Sequence, residues 1–314
     1  MYLGMNNIQL SIIATVLWLS AGLAQAQNCY VPVAIHIDSR NIPSEAMRVL
    51  ENTLTRIATA SDYEAGLGLS QFILTARVDA LDKSFHAGPP MQITQNLGIT
   101  FFIADTNSKT KFASAYIEMD GVGQNETKCY IDAFKHINGN QQQIQSLLQI
   151  GRKKILAYYD ANYQNILREA EKQASLQNYD AAIALAISIP TCSKGADAGL
   201  KAGRKYYAVY RDQYNLGLLN RARMAWATRQ DASVAREAGA LLCQIDSEAS
   251  CYADALALAK EIKAQRRNDI NFQMREKYHD QVKIQQMEIE AMKAIGVAYG
   301  KGQQPTTTNL MWLR

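Results

Sequence analysis

Histidine is the side chain best suited to acid–base catalysis and metal binding near neutral pH. The four histidines of this chain lie far apart, at positions 36, 86, 136 and 279. No two of them have the His-x-x-x-His spacing that would place two imidazoles on one helical face. The sequence contains no Gly-x-Ser-x-Gly motif, and no cysteine has a recognisable catalytic setting. We therefore predict no catalytic residue, no metal site and no cofactor.

Four carboxylates are the remaining candidates for acid–base chemistry. Asp79, Asp82, Glu118 and Asp120 lie at or near predicted strand ends and could act as acid and base in a cleft. Acidic residues at such positions are more commonly hydrated turn formers, and we interpret these four carboxylates in that way. Gly121-Val122-Gly123 could present N–H groups to an anion, but it lacks the third glycine of a dinucleotide loop and the Gly-Lys-Ser/Thr of a phosphate loop. It predicts a tight turn.

Aromatic and basic residues are instead concentrated in one helical stretch. Tyrosine and arginine dominate binding hot spots, because they bury a large area and keep a hydrogen-bonding tip. The sequence predicts a partner-binding set here, formed by Tyr206, Tyr207, Tyr210 and Arg211.

A second candidate for partner binding is the segment that follows the last helical pattern. It is expected to be extended over 300–314, because Pro305 and three threonines precede an apolar group that includes Leu310 and Trp312. This tail could add as a strand to a partner protein or to the first domain. The alternative, that it covers an apolar strip on its own protein, stays open.

Composition restricts the class of protein. The chain has 314 residues, 48% of them hydrophobic and 20% charged, which is typical of a globular protein with roughly two domains. Its net charge of +4 is spread along the chain, whereas nucleic-acid binding requires clustered Lys and Arg. We predict no nucleic-acid partner.

The first 26 residues have the pattern of a signal peptide. An apolar run from Ile8 to Leu23 ends on Ala24-Gln25-Ala26, a small-x-small pattern, so cleavage is predicted after Ala26 and the protein is predicted to be periplasmic or secreted. The apolar run is shorter than the ~20 residues that a membrane-spanning helix needs. Retention as a membrane anchor is the alternative.

All five cysteines follow this segment, in a compartment that permits disulfides. Cys243 and Cys251 flank a turn-like segment and could link two adjacent helices, while Cys29 and Cys129 could pair across the first domain. Free buried thiols are the alternative to both pairs.

Hydrophobic periodicity divides the chain into two parts, and the predicted fold class is α+β. An α/β domain with a mixed sheet is expected over 27–138, with Asn125 as a helix N-cap and a turn-rich connector at 61–70. Its predicted strands cover 31–38, 72–81, 96–105 and 111–120. An all-helical domain is expected over 139–299, with one long helix between 252 and 299 because this stretch contains no proline.

Within the helical part, ASLQNYDAAIALAISIP resembles the second half of a tetratricopeptide repeat. A second, poorer match is RARMAWATRQDASVAREAGALLCQI. The resemblance implies a TPR-like helical-repeat region over roughly 150–265, and an ordinary helical bundle is the alternative. The residues that carry it are Ala170, Tyr179, Ala182 and Ile183 in the first match and Ala222, Trp226 and Ala235 in the second.

The first domain, with FILTARVDAL and FASAYIEMDGVGQNE before a helix, resembles small envelope α/β domains of the lipoprotein and curli-transport-related type. The combination of the two domains resembles secreted proteins of gut Bacteroidota. These resemblances imply a location, and they assign no site residue.

We therefore expect an exported, non-enzymatic protein-binding or assembly scaffold of the cell envelope, with a protein partner in the envelope or extracellular space. Two alternatives stay open: an enzyme that acts on cell-wall or extracellular glycan, and a self-assembling structural protein that forms homo-oligomers. Peripheral association with the membrane is also left open.

Overall fold

The computed structural model describes residues 29–37, 42–65, 70–266, 272–275 and 280–303. The predicted leader at 1–26 lies outside these ranges, as do Leu310 and Trp312 of the tail. No helix within the described ranges is long and apolar enough to cross a membrane. The fold is α+β, as predicted: a mixed five-stranded sheet is followed by helices.

The first part of the chain forms β1 (Val31–Ile37), α1 (Ser44–Thr59), β2 (Tyr63–Ala65), β3 (Phe72–His86), β4 (Gln92–Asp105), β5 (Thr110–Gly123) and α2 (Glu126–Lys135). The strand order is β2-β1-β3-β4-β5. β1 is parallel to β2 and β3, whereas β3, β4 and β5 form two antiparallel hairpins. The parallel pair β1 and β2 is joined through α1, as parallel strands require.

Two features of the sheet differ from the sequence prediction. β3 and β4 have 15 and 14 residues, longer than predicted, because they continue past a register shift between Ala80 and Lys83. Such a shift interrupts the alternation of apolar and polar residues, so the outer half of the hairpin has no clear strand pattern. β2 lies in the predicted connector and is too short, at three residues, to show a period.

Helices cover one face of the sheet, which we call the core face; the opposite face is the second face. Ile99, Phe101 and Ile103 of β4 are buried on the core face. α1 contributes residues at helical spacing, among them Leu50 and Leu54.

α2 begins at the predicted N-cap, where the Asn125 side chain accepts a hydrogen bond from the Lys128 N–H at 2.9 Å. Gly121-Val122-Gly123 lies within β5 and does not form the predicted tight turn. A Cβ at Gly121 would lie 1.9 Å from the Cys129 carbonyl oxygen. The glycine therefore allows α2 to cross the strand at short distance.

α3 (Gln142–Ser175) packs against the same core face with its first half. Leu148 and Ile155 are buried in the core of the sheet. At Gly151 a Cβ would lie 2.3 Å from Ile103 Cδ1, so glycine allows α3 to lie on β4 without displacing Ile103. The buried Tyr63 hydroxyl donates to the Leu148 carbonyl oxygen at 2.6 Å. The core of the sheet thus continues past residue 138, and the division of the chain into domains at that residue stays a prediction.

The remaining helices are α4 (Tyr179–Ile187), α5 (Ala196–Thr228), α6 (Ala232–Leu242), α7 (Tyr252–Gln265) and α8 (Gln281–Gln303). They form two cores. One joins the second half of α3 to α4, α5 and α8, and the other joins the end of α5 to α6 and α7. The TPR-like matches fall in these cores: Ala170, Ala182 and Ile183 are buried in the first, and Ala222, Trp226 and Ala235 in the second. The repeat itself stays a prediction.

The single long helix predicted between 252 and 299 is wrong. α7 ends at Gln265, α8 begins at Gln281, and residues 272–275 between them are not helical. Tertiary contacts hold this connection: the Phe272 ring lies against Gly239 of α6, and the Tyr252 hydroxyl donates to the Arg275 carbonyl oxygen. Such long-range contacts override local helix propensity.

Cys29 forms a disulfide with Cys192, whereas Cys129, Cys243 and Cys251 are free. Neither predicted pair is formed. The buried Cys129 thiol donates to the Ile93 carbonyl oxygen, and the Cys243 thiol donates to the Gln273 carbonyl oxygen.

The disulfide has a clear position in the fold. Arg152 of α3 donates to the Cys29 carbonyl oxygen at 3.0 Å, which holds Cys29 beside α3. The Cys29 side chain is bonded to Cys192, which lies in the connection between α4 and α5, and the two Cα atoms are 5.4 Å apart. The bridge therefore links the start of β1 to the helical part.

Replacing Cys29 and Cys192 together with serine should lower the free energy of unfolding by roughly 3–5 kcal/mol, because the bridge constrains the unfolded chain over 163 residues. Urea denaturation followed by circular dichroism measures the change. Cys243→Ser is the matched control, since this thiol is free, and its effect should stay within about 0.5 kcal/mol. A double variant as stable as the parent protein would contradict the structural role of the bridge.

Candidate interaction surfaces

The carboxylates considered for catalysis lie on an exposed surface. Asp79, Glu118 and Asp120 are on the second face of the sheet, and Asp82 is exposed beside the register shift of β3. The pKa of Tyr116 is raised, mainly by loss of hydration and secondly by the neighbouring Glu118 carboxylate. Each carboxylate on the second face has a polar or cationic neighbour: Arg77 for Asp79, Tyr116 for Glu118 and Asn96 for Asp120.

Two further observations concern pockets and metals. An open cleft between the ends of α1 and α2 and the start of α3 is lined by polar and apolar side chains, including Arg56, Lys135 and His136. Within the described ranges, no group of three or more His, Cys, Asp or Glu side chains is arranged to hold a metal ion.

The tyrosine–arginine set lies where α8 crosses α5. Tyr206 is only 5% exposed and packs in the core with Ala182 and Met292. Tyr207 and Tyr210 are partly buried against the same core, and burial raises the pKa of Tyr207. The Tyr207 phenol therefore stays protonated at neutral pH, and the buried tyrosines of this set contribute mainly packing.

Charge also holds α8 in this position. The Glu288 carboxylate of α8 lies 3.6 Å from the Arg211 guanidinium and 3.9 Å from that of Arg204. The Arg211 side chain is 16% exposed, and that of Glu288 25%. Their attraction is therefore screened less than that of a surface pair.

α8 approaches its neighbours closely through a row of buried residues spaced four apart: Met292, Gly296 and Gly300. A Cβ at Gly203 of α5 would lie 3.2 Å from the Met292 sulfur, and one at Gly296 would lie 2.8 Å from Ile187 of α4. The chain's own α8 thus occupies much of the surface predicted to bind a partner.

The exposed end of the tyrosine–arginine set is formed by Tyr214, which is 56% exposed and stacks on Tyr210. Binding of another protein by Tyr206, Tyr207, Tyr210 or Arg211 stays a prediction. Leu310 and Trp312, the other predicted binding residues, lie outside the described ranges.

The edge of the sheet at β5 is a surface that sequence reasoning missed. β5 is the last strand in the sheet and has 14 residues. Its pairing with β4 is regular from Ala113 to Gly123, so alternate residues direct their N–H and C=O groups away from β4. No local sequence pattern could reveal that β5 lies at the edge, because strand order depends on pairing between distant residues.

Both ends of this edge are covered by side chains. The Val122 N–H donates to Asp132 of α2 at 2.9 Å, and Lys154 of α3 donates to the Phe112 carbonyl oxygen at 2.6 Å. Between them, the outward backbone groups of Ser114, Tyr116, Glu118 and Asp120 have no strand beside them in the described part of the chain. We call residues 114–120 of β5 the open edge.

Met292→Ala should lower the free energy of opening of α8 by about 2–4 kcal/mol, because the substitution leaves a cavity where α8 meets α5. Native-state hydrogen exchange of the α8 amides measures this. Met287→Ala on the same helix is the matched control, since Met287 is exposed. If Met292→Ala leaves exchange in α8 unchanged, the contacts described here do not hold the helix.

The sequence matches no protein-family profile and no curated protein. Among solved structures, the 2.35 Å crystal structure of a minor lipoprotein from Acinetobacter baumannii is similar over 41% of this chain and 95% of that chain. The sequence identity is 14% and the TM-score 0.25. A similarity of this size assigns neither fold nor function to the chain.

Proposed function

We propose that this protein is an exported, non-enzymatic protein-binding scaffold of the cell envelope, and that it binds an extended segment of a partner protein along the open edge. The observation that supports the proposal is that this edge of a long strand, held by a packed sheet, is paired with no other strand of the described residues. Extended peptides commonly bind in this way, because their main-chain groups continue the hydrogen-bond ladder. Export rests on the predicted leader.

The side chains beside the open edge indicate which segment would fit. On the second face, Tyr116, Glu118 and Asp120 are exposed, and on the core face Ala115 and Met119 are partly buried at the margin of the core. The side chains of an added strand would point alternately to the two faces and lie beside these two rows. The partner segment should therefore alternate basic residues, which would meet Glu118 and Asp120, with aliphatic ones.

A second candidate is self-assembly into a structural protein, and the charges along β5 favour it. Lys109 precedes the strand and Lys111 lies at its start, whereas Glu118 and Asp120 lie near its end. When two copies of β5 pair in antiparallel orientation, the basic end of each copy comes beside the acidic end of the other.

Affinity capture from envelope extracts, with the tagged full-length protein, tests the proposal. Ser114→Pro removes an outward N–H and leaves the ladder with β4 intact, because proline is tolerated on an edge strand. This variant should retain about tenfold less partner, which corresponds to about 1.4 kcal/mol. Ser114→Thr is the matched control, since it keeps the N–H, and it should retain as much as the parent protein.

Equal retention of the partner by the proline and threonine variants would reject binding at the open edge. Circular dichroism should be unchanged in both variants, which excludes unfolding as the cause of a loss. Capture of the chain itself, together with a dimer by light scattering that Ser114→Pro abolishes, would replace the proposed function with self-assembly.

A further inference from the structure

The open cleft between the ends of α1 and α2 and the start of α3 has a volume of about 570 Å³, a size that suits a small molecule. Its lining comes from residues 56–61 and 135–145. We call it the cationic cleft. None of its lining residues belongs to the open edge, so the cleft is a separate surface of the protein.

The floor of the cationic cleft is part of the core of the sheet, which fixes its shape. Ile57 of α1 and Ile137, which follows α2, line the cleft and are only 5% and 1% exposed. A Cβ at Gly139 would lie 3.4 Å from Ile57 Cγ2, so the loop between α2 and α3 lies directly against α1. Within this loop the Asn140 N–H donates to the Asn138 side chain at 3.0 Å. The cleft is therefore formed before any ligand binds.

Positive charge dominates the lining. Arg56 lies in the last turn of α1 and Lys135 in the last turn of α2, and both side chains are charged at neutral pH. Neither has a hydrogen bond or ion pair with another described residue, and no Asp or Glu is among the described lining residues. The Asp132 carboxylate, 4.0 Å from the His136 imidazole, already accepts from the Val122 N–H. An anion in the cleft would therefore meet two cations that no carboxylate neutralises.

The other polar groups of the cleft suit a ligand that carries hydroxyl groups. The side-chain amides of Asn140 and Gln145 have no hydrogen-bond partner among the described residues, and an amide both donates and accepts. The last carbonyl groups of α1 and α2 have no partner within their helices and can accept from hydroxyl groups. A smaller hollow, which shares Ser61 and Gln145 with the cleft, adds the Asp62 carboxylate as a further acceptor.

The lining also discriminates between classes of anion. Among the described residues that line the cleft there is no Phe, Tyr or Trp. Proteins commonly hold nucleotide bases by stacking them on such rings. The cleft therefore suits a saccharide, which is held by hydrogen bonds, better than a nucleotide.

We propose that the cationic cleft binds an anionic saccharide, either a sugar acid or a sugar phosphate. Arg56 and Lys135 contact its carboxylate or phosphate group, because guanidinium and ammonium groups pair well with both anions. The amides of Asn140 and Gln145 bind its hydroxyl groups. This binding goes beyond the proposed function and does not depend on the open edge.

NMR titration of the isotope-labelled full-length protein tests the proposal. The probes are glucuronic acid and glucose-6-phosphate, with glucose as the neutral sugar and inorganic phosphate as the anion without a sugar. Amide signals within 56–61 and 135–145 should shift on addition of a charged sugar. The tighter of the two charged sugars identifies the anion, and it should bind at least about tenfold more tightly than glucose, because only the charged sugar forms ion pairs.

Arg56→Gln and Lys135→Gln should each weaken binding of that sugar about fivefold, the size expected of one partly hydrated ion pair. Arg48→Gln is the matched control, because Arg48 is an exposed arginine of the same helix that does not line the cleft. It should bind the sugar as tightly as the parent protein. Since all three side chains are exposed, circular dichroism should be unchanged in each variant.

Three results would overturn the proposal: equal affinity for glucose and both charged sugars, equal affinity of the Arg56→Gln and Arg48→Gln variants, or no shift with any probe at about 10 mM. Inorganic phosphate that binds as tightly as the better charged sugar would also overturn it, because the cleft would then recognise the anion without the hydroxyl groups.

Discussion

The contact between α3 and the sheet at Gly151 is the one on which the rest of the structure depends. A side chain at this position would meet Ile103 and the Tyr63 hydroxyl, so glycine lets α3 lie on β4 without displacing these side chains. Further along, the same helix contributes Ala170 to the first helical core. At 34 residues, or about 51 Å, α3 is a single rigid element that belongs to both cores. The sheet and the helical part are therefore held together by one continuous helix.

The same contact determines which part of the β5 edge is accessible. Lys154, one turn after Gly151, reaches the Phe112 carbonyl oxygen at the start of β5. α2, which Gly121 allows to approach, supplies Asp132 to the Val122 N–H at the other end. Both ends of a long edge are thus protected by side chains from packed helices, a common defence against uncontrolled strand pairing. Within the described residues, the part of the edge that stays open has a length that suits one short peptide.

Sequence reasoning found the features that local periodicity and capping encode. The alternation of Val33, Ile35 and Ile37 identified β1, and Asn125 identified the start of α2, because these signals need only neighbouring residues. The partner of Cys29, the break before α8 and the position of β5 in the sheet depend on residues far apart in sequence. The tyrosines of α5 are an intermediate case: hot-spot chemistry is the same within a chain as between chains, so composition could not reveal that α8 covers them.

The surface that α8 covers and the open edge of β5 differ in their chemistry. Apolar surface exposed to water is costly, and the structure buries the strongly apolar faces of α4 and α5 under α8. Outward N–H and C=O groups on a strand edge are instead well hydrated when no partner is present, so they cost little to leave open. An edge made of main-chain groups can therefore remain exposed on a stable protein. Because a partner strand exchanges hydrogen bonds with water for hydrogen bonds with β5, the net gain per bond is small, and binding at this edge is expected to be reversible.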